Sequence, residues 1–217
     1  MIKDNIQYFK RELPSDVKLV AVSKFHPAEA ILEAYGEGQR AFGENRPQEL
    51  SAKAALLPSD IEWHFLGHLQ TNKLKMVLPY ASLVQSVDSL HLLEEIDRWG
   101  RANERTVSVL LELHIASEQT KQGFVEEEIL DILFRRDNFK AVKFCGLMGM
   151  ATNTDDIETV AADFGRISSF MDYLRDLFDD MPEFRELSIG MSSDWRTALD
   201  FGATMVRIGT SIFGERQ

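Results

Sequence analysis

Short apolar runs alternate with longer stretches of helical periodicity along the whole chain, and this alternation predicts the architecture. Eight runs read as strands: KLVAV (18–22), RAFG (40–43), EWHFLG (62–67), SLVQSV (82–87), VSVLLELHI (107–115), VKFCGLM (142–148), RELSIG (185–190) and TMVRIG (204–209). Between them lie PAEAILEAYGEG, RPQELSAKAALL, QTNKLKMVLPY, SLHLLEEIDRWGRAN, VEEEILDILFR, DIETVAADFGRISSFMDYLRDLF and DWRTALDFGA, several closed by Gly or Asn, as helix ends often are. Strands joined by helical crossovers pair in parallel, and a count of eight favours a closed (β/α)8 TIM barrel over an open doubly wound sheet. No low-complexity linker or change of composition divides the chain, so one domain over residues 1–217 is expected. The opening segment MIKDNIQYFKRELP, amphipathic and polar, is expected to add an N-terminal helix rather than a signal segment.

Composition narrows the classes of function. The chain has 44% hydrophobic residues, enough for a sizeable core, and 35 acidic against 24 basic side chains give a formal net charge of −11, which disfavours nucleic acid as a partner. A single cysteine, Cys145, has no partner for an internal disulfide, which points to the cytoplasm. No apolar run approaches the roughly 20 residues a bilayer-spanning helix needs, so no membrane association is expected.

The chemistry gathers at strand ends. Lys24 follows LVAV directly, and the C-terminal ends of barrel strands form the active face of such folds. A lysine losing solvation there favours its neutral amine, which can attack an aldehyde to form a Schiff base; a solvated loop lysine remains the plainer reading of that position. Near the other terminus, SIGMSSDWRTAL places Ser192 and Ser193 before a helix as N-cap candidates, and MVRIGTSIFGE leaves the eighth strand through Gly209, Thr210 and Ser211. The loops after strands seven and eight hold phosphate in many barrels. Each could be an ordinary capped turn, yet a Schiff-base lysine facing a phosphate cradle describes a covalent pyridoxal 5'-phosphate (PLP) site. Arg207, a charge within an apolar strand, needs a partner; it could face the cofactor's ring nitrogen, where a permanent cation would disfavour ring protonation, or form a structural ion pair.

The segments AVSKFHP, FGENRPQE, WHFLGHLQTNK, QSVDS, GLMGMAT, IGMSSDW and MVRIGTSIFGE, in that order between residues 19 and 215, together resemble the pyridoxal phosphate homeostasis proteins. The resemblance implies a barrel like the N-terminal domain of alanine racemase, covalent PLP, and control of free PLP and of amino-acid and keto-acid pools without robust catalysis. Carried onto this chain, it makes Lys24 the Schiff-base lysine and Arg207 the residue facing the ring nitrogen. It assigns phosphate binding to Ser192, Ser193, Gly209 and Thr210, and places Asn45 and His64 in the pocket lining. Met148 would pack near the cofactor, though a core methionine reads equally well. The chain departs from the pattern at Ile189, where Met is common, and at Pro47, where Val is common; both lie beside the key residues. The resemblance also implies a monomer, with the apo forms of PLP-dependent enzymes as candidate partners.

Two other activities fit the barrel less well. An amino-acid racemase needs acid–base groups on both faces of the substrate's α-carbon, and in the alanine racemase family a tyrosine from a second domain of the partner subunit supplies one. The chain to Gln217 offers no such domain, and its four tyrosines, Tyr8, Tyr35, Tyr80 and Tyr173, fall in predicted helices or the turn after one, so the second base is expected to be missing. A PLP-independent aldolase would need no phosphate cradle. His64 and His68 lack an evident third ligand, so no metal is expected.

Overall fold

The computed structural model describes residues 1–117 and 122–214. Glu215, the last residue of the MVRIGTSIFGE segment, lies outside the described residues. The eight strands are β1 (Lys18–Val22), β2 (Ala41–Glu44), β3 (Glu62–Phe65), β4 (Ala81–Val87), β5 (Val107–Glu112), β6 (Val142–Met148), β7 (Glu186–Ser188) and β8 (Met205–Ile208). They form a closed parallel barrel in sequence order, in which β1 closes on β8 through the register Lys18↔Met205 to Ala21↔Ile208. The expected (β/α)8 barrel is therefore the observed fold; β1 and β6 keep their sequence limits and the other strands have ends shifted by up to three residues.

Alternation along each strand sorts the side chains. Leu19, Ala21, Trp63, Phe65, Val84, Leu111, Leu187, Val206 and Ile208 belong to the large apolar layer packed against the helices. Val20, Ala41, Leu83, Leu110, Met148 and Met205 form a second cluster inside the barrel, with Cys145 packed against it. Because side chains alternate with period two, Lys24 shares the parity of inward-facing Val20, and Arg207 that of inward-facing Met205. Both faces are buried, so strands such as LVAV run apolar without a polar side, as parallel strands do.

The helices are α1 (Ile2–Glu12), α2 (Ala28–Gly36), α3 (Pro47–Leu56), α4 (Leu74–Val77), α5 (Leu90–Ala102), α6 (Glu126–Phe134), α7 (Ile157–Leu177), α8 (Trp195–Asp200) and α9 (Thr210–Phe213). Ser89 caps α5, its Oγ accepting the Leu92 N–H at 3.4 Å, and Pro47 occupies the first turn of α3, where its missing N–H costs nothing. Two expectations change. The QTNKLKMVLPY stretch forms only a 3₁₀ turn (Thr71–Lys73) and the single turn of α4, since Pro79 has no N–H with which to continue the helical bonding beyond Leu78. The exit from β8 winds into α9, one further turn of helix. The expected N-terminal helix is α1, which packs Phe9 edge-on against Trp195, with ring centroids 5.5 Å apart, and donates from Asn5 Nδ2 to the Ile212 carbonyl at 2.9 Å. It thereby braces α8 and α9, the two elements that follow β7 and β8.

Strand β6 carries an irregularity opposite Val109 and Leu110, where Gly146 sits at φ 146°. A Cβ there would lie 1.9 Å from the Glu186 carbonyl oxygen, inside the β6–β7 pairing. We expect Gly146→Ala to lower stability by about 1–3 kcal/mol, read as a lower denaturant midpoint. An unchanged midpoint would mean that β7 can move aside at no cost.

Candidate functional site at the barrel mouth

The C-terminal ends of β1, β2, β3, β6, β7 and β8 enclose a cavity of about 280 Å³ lined by Val22, Lys24, Asn45, Leu66, Met148, Met150, Met191, Ser192, Ser193, Arg207, Gly209 and Thr210. Eight of the nine residues singled out from the sequence thus meet in one place. His64 is the exception. It is buried inside the barrel, not in the cavity lining, with Nδ1 2.7 Å from Gln85 Nε2. Burial, aided by the charge of Lys18, lowers its pKa to about 3. The ring is therefore neutral, and its Nδ1 accepts from the Gln85 amide. Position 64 has the inward parity of its strand, but its imidazole is held inside the barrel by Gln85 and does not reach the mouth.

Arg207 is the best-anchored group of the site. Its Nη1 donates to the Ser188 carbonyl at 2.7 Å and the Ser188 hydroxyl at 2.8 Å, and its Nη2 donates to the Gly149 carbonyl at 2.9 Å. Ser188 Oγ in turn donates to Gln85 Oε1 at 2.6 Å, so a directed chain of hydrogen bonds crosses the barrel from Arg207 through Ser188 and Gln85 to His64. The expected partner of Arg207 is thus carbonyl and hydroxyl oxygen rather than a direct carboxylate. Burial lowers its pKa to about 10 against the opposing pull of Glu112 and Asp194, which leaves it charged at neutral pH. Part of its five-donor fork is left unspent by these bonds, in a residue that lines the cavity.

The loops after β7 and β8 differ from the expected pair of N-caps. Asp194, not Ser192 or Ser193, takes the N-cap position of α8, and its Oδ1 accepts the Met191 N–H at 2.5 Å. Ser192 Oγ instead accepts the Gly209 N–H at 3.4 Å, tying the two loops together. Within the described residues the N–H groups of Ser192, Ser193, Thr210 and Ser211 donate to no protein acceptor. Gly209 lies close to β1, where a Cβ would approach the Val22 carbonyl oxygen to 3.3 Å. Asn45 Oδ1 is buried without a hydrogen-bond partner. An amine, a cluster of uncommitted donors and a fixed guanidinium around a partly apolar hollow fit a small planar molecule that carries an aldehyde and an anionic group. Among the described residues there is no cluster of three or more His, Cys, Asp or Glu that could hold a metal, and no helix is long and apolar enough to cross a membrane.

Sequence reasoning passed over Gln85 and Ser188. Both interrupt buried strands, and a buried polar side chain must find a partner, which was the available signal. It also passed over Glu112, buried at the end of β5, whose pKa is raised from 4.5 to about 7 by burial and then by the charge of Asp88, against the pull of Arg207. Glu112 holds its proton more tightly in the folded chain, so its own contribution to stability is full below pH 4.5 and is lost as pH rises through about 7, opposite in sign to that of neutral His64. The loss should be on the order of 3 kcal/mol. Across that range the melting temperature of the wild type should fall relative to that of Glu112→Gln; parallel profiles would show that Glu112 does not titrate there.

The family profile described as "Alanine racemase, N-terminal domain" matches residues 1–217. A pyridoxal phosphate homeostasis protein of Pasteurella multocida is 36% identical over 221 residues, covering 99% of this chain and 94% of the relative. PipY of Synechococcus elongatus, solved without PLP and with PLP bound, superposes with TM-scores of 0.93 and 0.90 at 37% identity, covering 99% of this chain and all of PipY. Alanine racemase of Clostridium difficile shares the fold alone, at a TM-score of 0.80 and 15% identity over 55% of its length. The matched profile, the relative's identity and the shared barrel establish that this chain belongs to the alanine racemase N-terminal domain family, among relatives named pyridoxal phosphate homeostasis proteins.

Proposed function

We propose that this protein binds PLP at the barrel mouth and serves in PLP homeostasis, holding and yielding the cofactor rather than turning over substrates with it. The observation that carries the reading is the convergence of Lys24, Arg207 and the donor-rich loops after β7 and β8 on one cavity. The names of the relatives, and PipY having been solved with PLP bound, support it.

In this reading PLP supplies an aldehyde that bonds covalently to an amine. Lys24 provides that amine from the turn after β1. Ser192, Ser193 and Thr210 hold the phosphate through hydroxyl and backbone N–H donors, and Gly209, whose N–H is given to Ser192 Oγ, lets the loop approach it without a side chain in the way. Arg207 faces the ring nitrogen as a donor; staying charged, it favours the unprotonated ring and weakens the ring as an electron sink. Asn45 and Met148 pack at the ring. Turnover is disfavoured for a second reason. Among the lining residues only Lys24 and Arg207 are charged or titratable, and no tyrosine is present; Tyr8, Tyr35 and Tyr173 lie on helices α1, α2 and α7, and Tyr80 in the turn after α4. Racemisation asks for a second acid–base group on the far face of the substrate. We place the protein in the cytoplasm, with apo forms of PLP-dependent enzymes as recipients of the cofactor.

Borohydride reduction of the PLP-treated protein should fix one cofactor on the peptide containing Lys24, and Lys24→Ala should abolish the adduct. An adduct that persists, or maps to another lysine, would remove the central assignment. Replacing both Ser193 and Thr210 with Ala should weaken PLP binding by roughly 1–3 kcal/mol per lost charge-assisted bond, seen as a higher Kd. Equal affinity would refute the phosphate cradle, and rapid inversion of added D- or L-amino acids would overturn the non-enzymatic part.

A further inference from the structure

The turn that carries Lys24 is strained, and a buried ionic cluster holds it. The His26 N–H donates to the Ser23 carbonyl at 3.1 Å, closing a four-residue turn with Lys24 second and Phe25 third. Phe25 takes φ 67°, a conformation that this turn position normally reserves for glycine, and the residue is 42% exposed rather than packed in the core. Nothing in the burial of that residue offsets the strain; the surrounding polar contacts do. Glu49 Oε2, on α3, accepts the Phe25 N–H at 2.8 Å, and the Arg46 guanidinium lies 4.4 Å over the Phe25 ring. Lys53, one turn further along α3, donates to the Ser23 carbonyl at 2.9 Å and to Glu44 Oε1 at 2.7 Å, with Glu49 Oε2 at 3.3 Å. Glu44 Oε1 also accepts the Ser23 hydroxyl at 2.6 Å. Both peptide groups flanking Lys24 are thus gripped by charged side chains of one helix.

This arrangement costs more than a solvated turn would. Lys53 is nearly buried and Glu44 fully so, and Glu44 Oε2 has no hydrogen-bond partner. Burial raises the Glu44 carboxyl pKa against the pull of Lys53. Burial also works to raise Glu49, but the Phe25 N–H and Lys53 outweigh it and hold that carboxyl below its usual range, so it stays charged while gripping the turn. Backbone strain together with buried charges around one residue marks a position the fold over-determines.

We propose that Glu49 and Lys53 are positioning residues that, with Glu44, lock the Ser23–His26 turn at positive φ and so aim the Lys24 amine into the cavity. The inference rests on the reading of Lys24 as the cofactor-bonding amine, but it concerns the conformation of the turn and can fail separately. Two readouts are needed. In the cofactor-free protein, competitive labelling of lysines by an amine-reactive anhydride, followed by peptide mapping, reports how Lys24 is presented. In the second, the rate of borohydride-trapped adduct formation at saturating PLP is set beside the Kd of pyridoxine 5'-phosphate, which carries the same phosphate but no aldehyde.

Glu49→Ala should change the labelling of Lys24 relative to the other lysines. It should slow adduct formation about tenfold, equal to about 1.4 kcal/mol, which lies within the strain of one residue held in a disfavoured conformation. Pyridoxine 5'-phosphate should bind within about twofold of wild type, since a factor of two is only about 0.4 kcal/mol. Glu49→Gln keeps an acceptor for the Phe25 N–H and should retain most of the rate. Adding Phe25→Gly to Glu49→Ala should restore it, because glycine adopts the turn without the clamp. Lys53→Met should behave as Glu49→Ala does where the chain still folds. Unchanged labelling and rate in Glu49→Ala, or a loss that Phe25→Gly does not recover, would overturn the proposal. Wild-type protein that traps no adduct at Lys24 would instead sink the PLP reading, and the labelling comparison would still decide the clamp.

Discussion

The structure depends first on keeping a cation inside a parallel barrel. Arg207 is buried at the end of β8, where an ion without partners would be prohibitively costly. Its hydrogen bonds reach the Ser188 carbonyl and hydroxyl on β7 and the Gly149 carbonyl just past β6, so satisfying one side chain fixes the mutual positions of three strand ends. β7 has only three residues and one registered pair with β8, and the guanidinium adds side-chain bonds to the backbone bonds that join the two segments. The loops after these strands inherit that fixity. Ser188 passes the order across the barrel to Gln85 and His64, which is why a polar layer can sit above the apolar cluster of Val20, Leu83, Leu110 and Met205.

The two sides of the mouth are built differently. On the β7–β8 side the groups are backbone donors and small hydroxyls, arranged by short loops and braced from outside by α1 through Asn5 and Phe9. These positions suit an anion because their N–H groups are not consumed by the fold. On the β1–β2 side the geometry is imposed by charge: α3 reaches over with Glu49 and Lys53 to hold a turn that a phenylalanine would not adopt unaided. Rigid presentation of an amine and an open set of donors are different demands, and the barrel meets each with different chemistry.

The shared fold with alanine racemase illustrates how little a barrel says about activity. What bears on chemistry is the lining, and here an arginine fixed by neutral partners and a single amine stand among methionines and aliphatic side chains. In the proposed reading, such a lining suits holding a cofactor more than moving protons.

Much of this was legible in the sequence by itself. Strand and helix periods differ, so eight apolar runs between helical stretches specified the barrel, and Lys24 and Arg207 stood out as cations at the end of LVAV and within MVRI; which face of those strands turns inward was set by the fold, since both faces are buried. The exit loops stood out because small hydroxyl residues and glycine gather there. What the sequence left open was pairing at long range. Gln85 meets Ser188 across 103 residues, Arg207 meets Gly149 across 58, and Lys53 meets Ser23 across 30; none of these follows from local spacing. Nor could spacing tell that Ser192 would bond to Gly209 instead of capping α8, or that His64 would fall below the mouth. Those outcomes rest on how far each strand runs before the barrel closes and on which neighbour its register brings alongside. Tertiary structure alone decides them, because hydrogen bonds between strands are fixed by closure of the whole ring, whereas the alternation that builds each strand is a local property of its own residues.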